Sequence, residues 1–543
     1  MSQARSNQLR LLAPDQEITL DAVVNGLLTG AATGVPEYLV DDIVAVRAAS
    51  TLGRVRIPGD GGVMLDGFAA RPLLGGPHPL IVLPAGLDPT GWKMYSGAII
   101  RLLMRGYAVV AYTERGLPES EGELTVAGPE DVADGRSVID WALENVPDVD
   151  PERIGMAGIS YGSGISLLVA QADERVKAVA ALSTWADLGE ALYDNSTRHI
   201  AAAEVLAAIS DRPSSELLKV LEDFRANTNI DQVLEYAAQR SPARLPDTPR
   251  PVPTLFTSYW HETIFPQNQL LEYFDRYPGP KRLDLAVGDH GAVEIPGLLL
   301  GVYTRTTEAA YDWFDHYLRG VDNGIDSDGG VHTETMHSFT ATAAPDLSSW
   351  SQPARRYYLT APAAGSPDGT LTSEPPSNFS QRIQQGDPQV QAVGQLVMDG
   401  FRERLLMPRR QQFAEVDRTA AAVWSTPEFE GPQRLSGFPE VALTLTPSGD
   451  AVTLIAYLLD LDPFTGTMRI ITHAATTVDN RQPGQATDVR IRLQATDYQI
   501  PRGHKMVLIT DTRDDLYAGA DQSDTGGTVT LSGSAYLDIP AGS

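Results

Sequence analysis

The stretch GISYGSG at residues 158–164 places a serine between two glycines, in the form G-x-S-x-G. A serine at the centre of this pattern can attack an acyl carbon when it sits on a tight turn between a strand and a helix. The flanking glycines are needed there because neighbouring backbone comes too close for a Cβ atom. The alternatives are a phosphate-type turn or a purely structural glycine-rich turn, so the surrounding elements must decide the role of Ser160.

The flanking sequence favours the catalytic turn. RIGMAG (153–158) predicts a buried strand that leads into the serine, and ISLLVAQA (165–172) predicts a helix that leads away from it. In this arrangement the serine hydroxyl projects above the sheet edge, and the helix N-terminus adds partial positive charge beside a developing oxyanion. We therefore predict that Ser160 is a nucleophile.

A serine nucleophile needs a histidine base, and in turns of this kind the chain order is serine, acid, histidine. Of the nine histidines, His261, His290 and His316 lie in the part of the chain where the base belongs. His290 follows the predicted strand RLDLAVGD (282–289), at the carboxyl end where α/β sheets place their chemistry. His316 falls inside a predicted helix, where a structural role is expected. We predict that His290 is the base.

The acid that orients the base should follow the predicted strand VPTLFTS (252–258). The stretch after this strand contains no aspartate, and Glu262 is the carboxylate at its end. A glutamate can orient an imidazole and stabilise its cation as an aspartate does. We predict that Glu262 is the acid, with Asp289 as the alternative if Glu262 is a solvated loop residue.

The elements around these residues predict an α/β core. Apolar strands alternate with helices up to about residue 185 and again from 251 to 330, which indicates a parallel sheet covered on both faces. Residues 186–250 are helical in pattern with no strand candidate, so they read as an insertion. After residue 330 short β-rich runs are separated by turn residues, as in a β-sandwich, while 363–400 reads as surface loop. The expected divisions are 1–185, 186–250, 251–330 and 331–543.

Composition narrows the function classes. The 543 residues carry a formal net charge of −28, which disfavours binding to DNA, RNA or anionic membranes. With no cysteine, disulfides, thiolate catalysis and cysteine-ligated metal sites are excluded. The first residues lack the apolar segment of a signal peptide, and no run reaches the roughly 18 apolar residues of a membrane span. We expect a cytoplasmic protein that acts on a small-molecule acyl substrate without metal or cofactor, in an oligomeric state that the sequence leaves open.

Further motifs give the chain a family resemblance. It resembles the cocaine esterase-like, X-Pro dipeptidyl-peptidase (S15) family of serine hydrolases from about residue 54 onward. The motifs that carry the resemblance are RGLPESEG (115–122), IDWALENVPDVDPERIGMAGISYG (139–162), PTLFTSYWHE (253–262), DHG (289–291), WFDHYLRGVDNGI (313–325), GFPEVALTLTPSGD (437–450) and PRGHKMVLI (501–509). The resemblance implies an α/β-hydrolase core with a helical cap insertion and a C-terminal all-β jelly-roll domain.

The resemblance also assigns site residues. It implies Ser160 as nucleophile and His290 as base, with Glu262 at the position where the family usually has aspartate. The family commonly uses a tyrosine hydroxyl in its oxyanion hole, and Leu87 stands in that tyrosine's place here. The remaining donors would be the backbone N–H groups of Tyr161 and Leu87, unless the side chain of Tyr95 or Trp92 supplies a replacement. A missing donor costs about 10²–10³ in rate.

These observations support several functions. The leading hypothesis is hydrolysis of a carboxylic ester, or of an amide, through an acyl-enzyme on Ser160. The same triad would serve an X-Pro dipeptidyl-peptidase, or a biosynthetic acyltransferase, thioesterase or cyclase that excludes water. An exopeptidase needs an acidic site for the substrate's free amine, and the sequence does not locate one. A non-catalytic binding protein is the remaining alternative, and the ordered Ser160, Glu262 and His290 disfavour it.

Overall fold

A ten-stranded mixed sheet forms the core of the first part of the molecule, in the order β1-β2-β4-β3-β5-β6-β9-β10-β11-β12. The computed structural model describes residues 14–210, 212–245, 249–375, 379–479, 482–519 and 526–542. The strands from β4 to β11 in this order run parallel, while β1, β2 and β12 join antiparallel. The core strands are β1 (Ser50–Pro58), β2 (Met64–Pro72), β3 (His78–Pro84), β4 (Ala108–Tyr112), β5 (Val149–Ile159), β6 (Val176–Leu182), β9 (Thr254–Tyr259), β10 (Lys281–Ala286), β11 (Val331–Thr335) and β12 (Thr340–Ala344).

Helices cover both faces of this sheet. One face carries α4 (Pro129–Asn145), α5 (Tyr161–Ala172) and α10 (Asn268–Arg276). The other face carries α1 (Pro14–Thr29), α2 (Glu37–Ala49), α3 (Ser96–Met104), α11 (Glu294–Leu300) and α12 (Arg305–Arg319).

The central strands are apolar at consecutive positions because both of their faces are buried. Along β3 the side chains of Leu80 and Val82 join the apolar cluster on one face, and those of Ile81 and Leu83 join the cluster on the other. All seven residues of β3 are buried. The predicted parallel sheet, covered on both sides, is therefore present.

Between β6 and β9 the chain forms a largely helical segment. It contains α6 (Leu188–Leu192), α7 (Ile200–Ala207), α8 (Ser215–Ala226) and α9 (Ile230–Ala238), together with a small hairpin of β7 (Tyr193–Asp194) and β8 (Thr197–Arg198). The sequence predicted no strand here. The hairpin forms because Asn195 and Ser196 adopt φ of 47° and 59°, the positive values that a two-residue turn between antiparallel strands requires.

The core sheet extends beyond residue 330, where the sequence suggested that the core ends. β11 pairs with β10 in parallel, and β12 returns antiparallel to β11. The chain therefore leaves the core sheet after residue 344. The alternating pattern of these two strands resembles that of the following β-rich region. Only their tertiary pairing assigns them to the core sheet.

The rest of the chain is a large β-rich region. Its main sheet has eleven strands, and β18 and β23 form a separate pair. The strands are β13 (Ala354–Leu359), β14 (Gly369–Thr372), β15 (Phe379–Gln384), β16 (Gln411–Gln412), β17 (Ala422–Ser425), β18 (Gln433–Gly437), β19 (Glu440–Pro447), β20 (Ala451–Asp462), β21 (Thr467–Asp479), β22 (Thr487–Arg492), β23 (Thr496–Ile500), β24 (Lys505–Asp511) and β25 (Thr528–Pro540), with the short helices α13 (Leu347–Trp350) and α14 (Met398–Arg404).

This region departs from the sequence expectation at one place. The stretch 363–400, expected as surface loop, contains β14, β15 and the start of α14. The Trp260 ring stacks on that of Trp350 with centroids 5.6 Å apart, so the core and the β-rich region share a packed interface. No helix within the described residues has both the length and the apolar character needed to cross a membrane.

Candidate active site

Ser160 lies on the turn between β5 and α5, in a backbone conformation that few residues other than glycine adopt. Its φ is 55° and its ψ is −119°. A Cβ atom added at Gly162 would lie 2.0 Å from the carbonyl oxygen of Pro84, and one at Gly158 would lie 2.3 Å from the carbonyl carbon of Gly162. Both glycines are therefore required for the close approach that the sequence pattern predicted. This geometry is that of a nucleophile elbow.

His290 and Glu262 lie on the loops that follow β10 and β9. The Nδ1 atom of His290 lies 2.9 Å from Glu262 Oε1 and 3.1 Å from Oε2. Because an ionised carboxylate only accepts hydrogen bonds, Nδ1 carries the proton in this pair and Nε2 remains the basic nitrogen. The structure thus brings the predicted base and the predicted acid into direct contact.

The Glu262 carboxylate is itself held in place. Its Oε1 atom accepts hydrogen bonds from the backbone N–H groups of Ile264 and Phe265, each at 3.1 Å. The Phe265 ring meets the imidazole of His290 edge-on, with centroids 5.4 Å apart. Glu262 is 5% exposed, so the expectation of a solvated loop residue does not apply to it.

The pKa of His290 reflects this pairing. Burial disfavours the imidazolium, but the charge and hydrogen bond of Glu262, with a smaller contribution from Asp289, outweigh it and raise the pKa above its usual value. A raised pKa strengthens the ring as a proton acceptor and stabilises the cation that forms when it takes a proton. This is the electrostatic environment that a general base requires.

Asp289, the alternative acid, contacts the backbone of His290 and braces the loop. Its carboxylate accepts hydrogen bonds from the His290 backbone N–H at 2.7 Å, from the Thr263 N–H and hydroxyl at 2.8 Å each, and from the Val397 N–H at 3.1 Å. Burial and the neighbouring charge of Glu262 raise the pKa of Asp289. The sequence did not reveal that this carboxylate ties the two loops to a segment of the β-rich region.

A second buried carboxyl group, that of Glu294, supports the loop that carries His290, which we call the histidine loop. Glu294 accepts a hydrogen bond from the Thr257 hydroxyl at 2.6 Å and another from the Tyr259 hydroxyl. Ser183 accepts the N–H of Gly291, next to the base, at 3.0 Å. Burial raises the pKa of Glu294 to about 7. Sequence reasoning missed these residues because their spacing along the chain gives no sign that they meet.

The predicted oxyanion donors flank Ser160. Among the described residues, the backbone N–H groups of Leu87 and Tyr161 have no hydrogen-bond acceptor. Leu87 and Ser160 line the same cavities. Two backbone N–H groups of residues that line a cavity with Ser160 are therefore without an acceptor among the described residues.

The side chains of Tyr95 and Trp92 do not supply a replacement donor. The Tyr95 hydroxyl donates to the carbonyl oxygen of Pro84 at 2.7 Å and accepts the N–H of Ile159 at 3.1 Å. The Trp92 indole N–H donates to Asp66 at 2.7 Å. Tyr95 thus joins the ends of β3 and β5 beneath the elbow. It holds the end of β3, which precedes Leu87.

Two cavities meet at Ser160. The first has a volume of about 1000 Å³ and runs between the elbow and helices α6 to α9, with an almost wholly apolar lining. The second, of about 890 Å³, contains His290 and is bordered by the segment 396–401 of the β-rich region. Leu87, Ser160 and Leu206 line both cavities. Ser160 therefore lines both an apolar cavity and the cavity that contains His290, the candidate base.

Ser160 and His290 share the second cavity, and the structure shows no direct hydrogen bond between these two described side chains. In enzymes without bound substrate this contact is often long and shortens in the reacting complex. The other two histidines considered from the sequence face elsewhere. His261 Nε2 lies 3.5 Å from Glu403, and His316 Nδ1 lies 3.1 Å from the carbonyl oxygen of Val321.

Comparison with known proteins gives the chain its relatives. Residues 60–292 match the family model of the X-Pro dipeptidyl-peptidase (S15 family). Residues 323–538 match that of the X-Pro dipeptidyl-peptidase C-terminal non-catalytic domain. A Bacillus anthracis protein named as an Xaa-Pro dipeptidyl-peptidase is 22% identical over 468 residues, which cover 79% of this chain and 72% of that protein. The cocaine esterase of Rhodococcus sp. (strain MB1 Bresler) is 33% identical over 115 residues, 21% of this chain and 20% of that enzyme.

Solved structures show the same fold. An aminopeptidase from a marine sediment Thaumarchaeota archaeon superposes with a TM-score of 0.71 at 16% identity, over 91% of this chain and 97% of that one. An alpha-amino acid ester hydrolase superposes with a TM-score of 0.67 at 17% identity, also over 91% and 97%. The mixed α/β core and the large β-rich C-terminal region occur together in these proteins. The chain therefore belongs to the X-Pro dipeptidyl-peptidase (S15) family of serine hydrolases.

Proposed function

We propose that this serine hydrolase cleaves carboxylic esters that carry a large apolar acyl group. The observation that carries the proposal is the apolar cavity of about 1000 Å³ that begins at Ser160 and has no charged side chain among its lining residues. An acyl chain in this cavity would gain about 0.8 kcal/mol for each buried methylene group. The cavity that contains His290 would hold the leaving alcohol and later the attacking water.

The reaction follows from the positions of the side chains. The Oγ atom of Ser160 attacks the ester carbonyl carbon while Nε2 of His290 takes its proton. Glu262 keeps the proton on Nδ1 and stabilises the imidazolium. The imidazolium then gives its proton to the alkoxide leaving group, and the acyl group stays on Ser160. A water molecule, deprotonated by His290, attacks the acyl-enzyme and releases the carboxylic acid.

The oxyanion of each tetrahedral intermediate would be bound by two backbone donors. The N–H groups of Leu87 and Tyr161 are without acceptors among the described residues, and both residues line the apolar cavity together with Ser160. With Leu87 in the tyrosine's place, the side-chain hydroxyl common in the family is absent from this position. Turnover then depends on how rigidly the strand end at Pro84 is held, and the buried Tyr95 hydrogen bonds provide that rigidity.

We also propose finer roles for the two remaining parts of the chain. The segment 186–250 acts as a helical cap, which is supported by the contribution of α6, α7, α8 and α9 to the wall of the apolar cavity. The C-terminal region from β13 onward forms a jelly-roll sandwich, which is supported by its antiparallel strands and by buried apolar side chains on both sheet faces.

A fluorophosphonate probe tests the nucleophile. We expect covalent labelling of the wild-type protein and none of the Ser160→Ala variant, measured by intact-protein mass spectrometry. Absence of labelling in the wild type, or equal labelling of the variant, would contradict the assignment of Ser160.

The acyl specificity is tested with p-nitrophenyl esters of increasing chain length. We expect kcat/KM to rise by up to about fourfold for each added methylene group until the cavity is full. Ala207 lines the apolar cavity, while its neighbour Ala208 is exposed and does not. Ala207→Phe should lower the preferred chain length, and Ala208→Phe should leave it unchanged. A flat chain-length profile in the wild type would contradict the acyl-cavity assignment even if Ser160 is labelled.

An X-Pro dipeptidyl-peptidase is the second candidate, since both family models and the Bacillus anthracis relative carry that name. Such an enzyme needs a carboxylate to bind the substrate's ammonium group. Asp88 lines the cavity that holds His290, but one of its oxygens accepts the Thr90 N–H and hydroxyl at 2.8 Å and 2.6 Å. Turnover of Gly-Pro-p-nitroanilide that exceeds turnover of the preferred ester, and that falls in Asp88→Asn, would favour the peptidase.

A further inference from the structure

We infer that a third cavity, which is polar and lies between the α/β core and the β-rich region, is a binding site for a small multivalent anion. The cavity has a volume of about 1060 Å³ and lies beside the histidine loop. Its lining includes three arginines together with other donors: Arg409, Arg410, Arg469, His337, His473 and Tyr498.

Arg469 lacks the carboxylate partner that its position offers. It lies on β21 directly opposite Asp460 of β20. The two oxygens of Asp460 are instead used by the Tyr498 hydroxyl at 2.8 Å and by His504 Nδ1 at 2.7 Å. The side chain of Arg469 forms neither an ion pair within 4.0 Å nor a hydrogen bond with any residue that the structure describes. Its guanidinium group is therefore available to a ligand.

The other two arginines are also without a charged partner. Arg409 donates to the backbone oxygen of Gln391 at 2.9 Å and to its side-chain oxygen at 3.2 Å, and both acceptors are neutral. Arg410 is exposed and has no hydrogen bond or ion pair with a described residue. Three guanidinium groups thus border one cavity, and those of Arg410 and Arg469 have no hydrogen-bond or ion-pair partner among the described residues.

The carboxylates that line the same cavity are already engaged. Asp399 accepts hydrogen bonds from Arg402 at 3.1 Å and from the Gly394 N–H at 2.6 Å. Glu403 lies 3.5 Å from the His261 ring, and Asp289 binds the histidine loop. Each of the three carboxylates therefore has a partner of its own, and none of them forms an ion pair with Arg410 or Arg469.

Two arginines without a carboxylate partner are notable because acidic residues are abundant. The chain has 70 aspartates and glutamates against 42 lysines and arginines. A cluster of cations that remains unpaired in such a chain is not explained by a shortage of carboxylates. Arginine forks bind the oxygens of carboxylates and phosphates through paired hydrogen bonds. The ligand class is accordingly a small molecule with two or more anionic oxygen groups, either a polycarboxylate or a phosphorylated compound.

The site borders the proposed active site without belonging to it. Helix α14 separates the two: Met398 and Phe401 line the cavity that holds His290, while Gly400 and Glu403 line the arginine cavity. Binding of an anion requires neither Ser160 nor ester hydrolysis. The binding measurement can therefore succeed or fail independently of the proposed function.

Isothermal titration calorimetry with citrate and with pyrophosphate, at physiological ionic strength and neutral pH, tests the inference. We expect saturable binding of at least one of the two at one site per chain. The stronger binder identifies the ligand as polycarboxylate or phosphorylated. Glycerol, which is neutral, should not bind. The Ser160→Ala variant should bind as the wild type does.

Arg469→Gln and Arg410→Gln are the informative variants, since neither arginine holds another described residue in place. Each should weaken binding by about tenfold or more, the size of one charge-assisted hydrogen bond, while Tm stays unchanged. Arg355→Gln is the matched control, because Arg355 is exposed on β13 and does not line the cavity. The inference is overturned if neither anion binds, if both cavity variants keep the wild-type affinity, or if Arg355→Gln weakens binding equally.

Discussion

The two halves of the proposed catalytic centre are held in place by different means. On one side, the turn around Ser160 is shaped by its two glycines and held by the ends of the neighbouring core strands, through the carbonyl oxygens of Pro84 and Leu182. On the other side, His290 meets Glu262, which lies 28 residues earlier, and Asp289 reaches Val397, which lies 108 residues later. The candidate nucleophile thus depends on backbone packing within the core sheet, whereas the candidate base depends on side-chain hydrogen bonds that reach into the β-rich region.

Because of this difference, we expect the two halves to be sensitive to substitutions in different parts of the molecule. A change in the β-rich region can displace the histidine loop through Val397 and α14 while leaving the serine turn unaltered. A change at the elbow glycines should act on the nucleophile and its oxyanion donors. Substitutions on each side, paired with neutral controls, separate the two effects.

The largest loss is expected from Glu262→Gln. The amide of glutamine can donate to Nδ1 of His290 and so favour the ring tautomer that carries its proton on Nε2, where it cannot act as a base. We expect kcat to fall by about 10⁴ with the fold intact, as measured by ester hydrolysis and circular dichroism. Glu262→Asp keeps the charge and should recover a substantial part of the rate. Equal activity of Glu262→Gln and wild type would show that another group orients the base.

Gly162→Ala tests the other half. Its added Cβ would lie 2.0 Å from the Pro84 carbonyl oxygen, so the strand end that carries Leu87 must move. Loss of a well-placed oxyanion donor should lower kcat by about 10²–10³. Gly53→Ala is the control, because a Cβ atom there meets no described atom within 4 Å. An active Gly162→Ala enzyme with unchanged kcat would contradict the rigid elbow.

Gly400→Ala tests whether the β-rich region positions the base. A Cβ atom at Gly400 would lie 2.2 Å from Cβ of Asp289, so either α14 or the histidine loop must shift. We expect a loss of roughly 10–10² in kcat, the order that a displacement of about 1 Å produces. Gly386→Ala, in the same region, has open space around the added Cβ and should leave kcat unchanged. If both variants keep the wild-type rate, the base does not depend on this contact.

Asp289→Asn removes a charge and one accepting oxygen beside the histidine loop, and its signature in catalysis is a pH shift. The negative charge of Asp289 helps to raise the pKa of His290, so its removal lowers that pKa. The neutral, basic ring then persists to lower pH, and the acidic limb of the kcat/KM profile should move to lower pH by up to about one unit. The limb of the wild type itself should lie above the pKa of an unperturbed histidine. A shift in the opposite direction would contradict the assignment of His290 as the titrating base.

Several features were predictable because they follow from local rules. The strand before Ser160, the helix after it and the glycines around it identify the elbow from a short stretch of sequence. The chain order of serine, acid and histidine then indicated Glu262 and His290, and the structure places these two in contact. The fold of the core followed from the alternation of apolar strands and amphipathic helices.

Other features could not be predicted from the sequence. Glu294, Ser183 and Tyr259 form the support below the histidine loop, yet nothing in their spacing links them. The strands β11 and β12, the last two of the core sheet, read as part of the β-rich region because their sequence patterns resemble those of its strands. The two-residue hairpin of β7 and β8 was missed because its turn residues, Asn195 and Ser196, lie in a stretch of helical pattern.

The sequence by itself determined the nucleophile elbow, the alternating core and the order of the candidate triad, because each depends on residues within a turn, a strand or a helix. The tertiary structure decided that Glu262 contacts the imidazole ring while Asp289 braces the loop, although both carboxylates were candidates. It also decided that an apolar chamber and an arginine-lined chamber lie on different sides of the base. The physical reason is that hydrogen bonds and cavities join residues distant in the chain, whose meeting depends on how the whole sheet and the β-rich region pack.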